Sequence, residues 1–128
     1  MNNVDKVHEF MTTYGQDTTG KEAALGLGEF IAFRRRLVEE ELDEMDEALV
    51  MNNYKVAMFD AGLDILYFAY GTMLGLGFTP EQIQAGFSEV HASNMSKLDE
   101  NGKPIFREDG KVLKGPNYFK PNLEKIIK

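Results

Sequence analysis

RRRLVEEELDEMDEAL (residues 34–49) and VAMFDAGLDILYFAYGTML (residues 56–74) are the two stretches whose reading decides the fold. In the first, Phe30, Phe33, Leu37, Val38, Met45, Ala48 and Leu49 recur with a helical period, and Glu41 and Glu44 fall on that apolar stripe. Glu40 flanks it, while Glu39, Asp43, Asp46 and Glu47 fall toward solvent. In the second, Val56, Phe59, Leu63, Tyr67 and Leu74 share a face with Asp60 and Asp64. Asp is a poor helix former, so two of them among Phe, Leu and Tyr need a reason. A bound metal is the simplest. The alternative is that Asp60 serves as a cap or first-turn acid and Asp64 pairs with an arginine from residues 34–36.

Outward from these stretches, residues 4–14 read as a short amphipathic helix on Val7, Phe10, Met11 and Tyr14. Residues 16–28, rich in Gly and Thr, read as a loop. The first acidic helix is expected over about 29–51 and the second over about 55–76. The Asn52-Asn53 turn between them makes them antiparallel neighbours and brings both sets of acids into one interior. Thr79, Pro80 and Gln82 start a third long helix running to about residue 98, with Asn94 and Lys97 on the side of Ile83, Phe87 and Val90. A fraying helix end and a snorkelling lysine would equally explain those two polar positions. Beyond it, Asp109-Gly110 between two β-prone segments predicts a hairpin, and residues 123–127 a last helical turn.

The length suits a single domain over 1–128, with helices over 1–98 and a basic tail over 99–128. The absence of cysteine excludes disulfides, thiolate zinc sites and cysteine nucleophiles, and is compatible with a cytoplasmic location. The longest apolar segment is too short to span a membrane, and no signal peptide is readable. Residues 1–96 hold 6 Lys and Arg against 16 Asp and Glu, whereas residues 97–128 hold 8 against 5. That balance does not suit a binder of duplex nucleic acid; it suits carboxylates neutralised by metal beside a basic segment meeting a small phosphorylated ligand.

The combination of Glu40-Glu41-x-x-Glu44, Asp64 in the following apolar helix and HASNMSK (residues 91–97) resembles the all-α nucleoside triphosphate pyrophosphohydrolases, the superfamily of MazG, the dimeric dUTPases and phosphoribosyl-ATP pyrophosphohydrolase. The resemblance implies an antiparallel bundle of four to five helices with an extended or hairpin tail, assembling as a homodimer or dimer of dimers. It implies Mg²⁺, with Mn²⁺ able to substitute, and cleavage of a nucleoside triphosphate substrate between its α and β phosphates. Position by position, Glu40, Glu41, Glu44 and Asp64 match the family's metal motifs. The usual Glu three residues before the Asp is Ala61 here, and Asp60 is the replacement on the same helix side. Glu40 and Glu41 are then the catalytic carboxylates, with Glu40 activating water. Asn94 and Lys97 match polar residues near the phosphates, and Lys111 and Lys114 of the tail are further candidates for phosphate oxygens. A phosphoribosyl-ATP pyrophosphohydrolase-like enzyme and a non-catalytic nucleotide- or partner-binding protein are the alternatives.

Overall fold

A computed structural model describes residues 1–128. It contains six helices, α1 (Asn3–Thr13), α2 (Lys21–Leu25), α3 (Leu27–Ala48), α4 (Tyr54–Gly75), α5 (Pro80–Met95) and α6 (Glu124–Ile127), and no strand. The chain is all-α, as its periodicity predicts. It divides into two compact units, Met1–Pro80 and Glu81–Lys128. No single helix is long and apolar enough to cross a membrane.

In the first unit α3 and α4 form the principal packed pair, with α1 against α4 and α2 against α3. Asn2 caps α1: its Oδ1 accepts from the Asp5 N–H at 2.8 Å while Asp5 Oδ2 accepts from the Asn2 N–H at 3.1 Å, satisfying two helix-end donors reciprocally. Val4, Val7 and Met11 are buried, and Phe10 sets its ring edge against Tyr67 at 5.6 Å between centroids.

The α3–α4 seam is built on small residues. Met45 lies against Gly62, Arg34 against Gly71 and Phe30 against Gly75. Ala61, Ala48 and Leu74 are wholly buried. This alters the expected face of α4. Val56, Phe59 and Leu63, anticipated as core, are 67%, 68% and 48% exposed. α4 is apolar on nearly every side, so periodicity cannot orient it; the Ala and Gly positions, which make room for large side chains of α3, set which side turns inward.

Residues 16–28, expected to be loop throughout, contain the short helix α2. Asp17 holds its start: Oδ1 accepts from the Thr19 N–H and hydroxyl, and Oδ2 from the Glu22 N–H at 3.1 Å. Those bonds, the Thr19 hydroxyl first, keep the Asp17 carboxyl below its usual range. Gly20 (φ 82°) and Gly77 (φ 97°) sit where the backbone at 19–20 meets the backbone at 76–77. Both need the left-handed conformation and the absence of a Cβ.

In the second unit the tail folds along α5. Ser93 Oγ donates to the Phe119 carbonyl at 2.8 Å, and the Phe119 N–H donates to Ser96 Oγ at 3.1 Å. Glu89 Oε1 accepts from the Asn122 N–H and Oε2 pairs with Lys125 at 3.5 Å. The anticipated turn at Asp109-Gly110 is present, with a single antiparallel bridge between Phe106 and Val112 and the Leu113 N–H donating to the Ile105 carbonyl at 2.8 Å. It is too short to make strands.

Candidate active site

The antiparallel register brings the acids level. The contacts Arg34 with Gly71 and Met45 with Gly62 bracket Glu41 on α3 and Asp64 on α4, which therefore face the same stretch of the seam. Glu44 lies one turn beyond Glu41, and Asp60 one turn before Asp64.

Glu41 is buried, at 9% exposure, and its Oε2 has no hydrogen-bond partner. Its pKa is pushed up to about 7, first by burial, then by a hydrogen bond and repulsion from Glu44, and by the charges of Asp64 and Asp60. Asp64, half-buried, is raised as well, by burial and then by Asp60 and Glu44. Four of the expected metal-binding acids therefore share one electrostatic environment. Glu44 and Asp60 are exposed at its rim, which corrects the expectation that Glu44 faces inward. Glu40 is exposed beside them.

The ion-pair alternative for Asp64 is not what the structure contains. Arg35 pairs with Glu39 at 2.6 Å on the surface, and Arg34 bonds elsewhere. Nothing offsets the carboxylates. No three of them stand close enough together to hold a metal ion as they are placed. Even so, a buried oxygen without a donor, facing three further carboxylates, is chemically suited to a hard divalent cation, which takes oxygen ligands and retains waters. Ala61 is sealed in the seam at 0% exposure, while Asp60 beside it is exposed.

The pKa shifts have a thermodynamic sign. Between the ordinary Glu value of 4.5 and about 7, folded Glu41 keeps a proton that the unfolded chain has released. Stability contributed by this group is therefore present at low pH and lost as pH rises through that window. In metal-free buffer the melting temperature of the wild type relative to Glu41→Gln is expected to fall between pH 4.5 and 7 and then level off. A difference that does not change with pH would show that Glu41 is ionised throughout.

Asn94, Lys97, Lys111 and Lys114 belong to the second unit. Asn94 is exposed in the last turn of α5, and its carbonyl accepts from the Lys97 N–H at 3.3 Å. The Lys111 carbonyl accepts from Arg107 in the turn, and the Lys114 ammonium lies 4.8 Å from the Tyr118 ring centroid.

Sequence reasoning considered Arg34 only as one of three possible ion-pair partners for Asp64. Arg34 is half-buried and lines a cavity of about 680 Å³ together with Gln16, Phe30 and Phe33. Burial lowers its pKa, although a guanidinium remains charged. The signal was legible: Arg34 lies on the stripe of Phe30 and Leu37, a cation on an apolar face just as Glu41 is an anion on one.

The chain matches the model of the phosphoribosyl-ATP pyrophosphohydrolase family over residues 7–94 and belongs to that family, within the all-α pyrophosphohydrolase superfamily that its acidic motifs resemble. The match runs from within α1 to the last turn of α5 and includes every carboxylate of the site, but stops short of the tail. It identifies a pyrophosphohydrolase-type enzyme and lies closer to the phosphoribosyl-ATP alternative than to a general nucleoside triphosphate hydrolase. None of the curated proteins compared with the chain matches it.

Proposed function

We propose that this protein hydrolyses the phosphoanhydride between the α and β phosphates of a nucleoside triphosphate group, releasing pyrophosphate and a monophosphate. The observation that carries this reading is the buried, donorless Glu41 oxygen, with the carboxylates of Glu44, Asp60 and Asp64 acting on it. Glu41, Asp64, Glu44 and Asp60 are the residues that would hold a Mg²⁺ or Mn²⁺ ion. When bound, such an ion neutralises phosphate charge and polarises the anhydride. Glu40 takes the proton from the attacking water.

Phosphoribosyl-ATP is the first substrate to test, on the strength of the family match. Ordinary ribo- and deoxyribonucleoside triphosphates form the second reading. The charge of the cavity that Arg34 lines favours them, because Asp17, Glu22 and Glu29 set it against a single arginine and would repel a second phosphoribosyl phosphate. Pyrophosphate release from both kinds of substrate, with Mg²⁺ and with EDTA, tests the activity and ranks the two. Equal release in EDTA would remove the metal, and no release from any of them would leave a binding protein.

The same reading includes a homodimer or dimer of dimers formed across α4, whose Val56, Phe59 and Leu63 present a run of large apolar side chains. Phe59→Asp combined with Leu63→Asp is expected to shift the sedimentation of the protein to that of a monomer. A wild type that already sediments as a monomer would remove the interface.

A further inference from the structure

We infer that Arg34 is a specificity residue that reads the nucleotide's base, selecting bases that present two adjacent hydrogen-bond acceptors. This rests on the four carboxylates being the place where the phosphates are cleaved.

The guanidinium is fixed and incompletely used. Nε donates to Thr72 Oγ1 at 2.9 Å and Nη2 to the Phe68 carbonyl at 2.9 Å, while the Thr72 hydroxyl itself bonds that carbonyl at 2.9 Å. The absent side chain of Gly71 makes the room: a Cβ there would lie 2.5 Å from Nη2. Nη1 has no partner in the chain, and no carboxylate pairs with Arg34. An arginine carries five donors and no acceptor, and the spare N–H groups of Arg34 open to solvent, where a ligand's acceptors can take the place of water. It borders a cavity whose volume, about 680 Å³, is in the range of small-molecule sites, with Phe30 and Phe33 as apolar walls.

Position and charge then choose which part of a nucleotide belongs there. Arg34 precedes Glu41 by two turns of α3, about 10 Å along the axis, which is the reach from an α-phosphate across the sugar to the base. Asp17, Glu22 and Glu29 make the cavity net negative, which disfavours another phosphate. A neutral ring remains. Guanine and hypoxanthine offer O6 and N7 side by side, which a guanidinium meets with two parallel bonds; adenine sets an amino donor beside N7 and would face donor with donor.

The test is calorimetric titration of the full-length protein with GMP, IMP, AMP and phosphoribosyl-AMP, so that binding is read without turnover. The wild type is expected to bind GMP and IMP on the order of ten- to a hundredfold more tightly than AMP. Arg34→Met is expected to abolish that preference, and Arg34→Lys, a point charge without the planar fork, to lose most of it. The lysine variant keeps the test valid should the methionine variant fail to fold. Equal wild-type affinities, a preference that survives both variants, or phosphoribosyl-AMP binding more tightly than GMP in an Arg34-dependent way would each overturn the assignment. An Arg34-dependent GMP preference in a protein that releases no pyrophosphate upholds this inference and sinks the proposed activity. Release of pyrophosphate with base binding indifferent to Arg34 does the reverse.

Discussion

Glu41→Gln is expected to reduce Mg²⁺-dependent pyrophosphate release by roughly 10²-fold or more and, at the same time, to raise the melting temperature of the metal-free protein at neutral pH. The two effects have one cause. Glu41 is buried with one oxygen lacking any donor and with three like charges near it, an arrangement that costs stability unless a cation is present. The amide keeps the shape and removes the charge. Asp64→Asn is expected to act in the same direction on both measurements, since its carboxyl is raised by the same neighbours. A Glu41→Gln protein that turns over normally would exclude this carboxylate from the chemistry. One that is inactive but melts lower would mean that the carboxylate supports the fold.

Gly20→Ala is expected to destabilise the protein by on the order of 3 kcal/mol, measured by urea unfolding. Two independent penalties add. The backbone at Gly20 has φ 82°, where an L side chain is strained, and a Cβ there would lie 2.5 Å from the Leu76 carbonyl oxygen. That neighbour is backbone, so no rotamer change relieves the clash. Gly15→Ala is the control, because its φ is also positive but nothing lies within 4 Å of the added carbon. Comparing the two separates conformational strain from collision. Equal losses would mean that the approach of residues 19–20 to 76–77 is loose.

Much of this was legible in the order of residues, and for identifiable reasons. α3 has a polar and an apolar side, so Glu41 on the stripe could be recognised as buried. The pairing of α3 with α4 followed from the short turn at 49–53, and the turn at Asp109-Gly110 from its residue types. The orientation of α4 was not legible, because an apolar residue occurs on every face and only the contacts of Ala61, Gly62, Gly71 and Gly75 choose among them. The depth of each acid was likewise hidden. Spacing put Glu41 and Glu44 on one stripe, yet only the packed helices decide that one is sealed and the other open. α2 escaped notice because five residues are too few to show a period, and its stability comes from the bonds that Asp17 accepts.

The glycine and alanine seam has a consequence for how this family member can be tuned. Met45, Arg34 and Phe30 of α3 fill the room that Gly62, Gly71 and Gly75 leave on α4, so close packing of those side chains holds the two helices at one spacing. The gap that the acids must bridge is then constant, and the only adjustable gauge is arm length. α3 reaches in with glutamates and α4 with aspartates, long arms from one wall and short ones from the other. A change in the ionic radius that the acids accept therefore comes from lengthening Asp64 or shortening Glu44 by one methylene, since the walls themselves do not move.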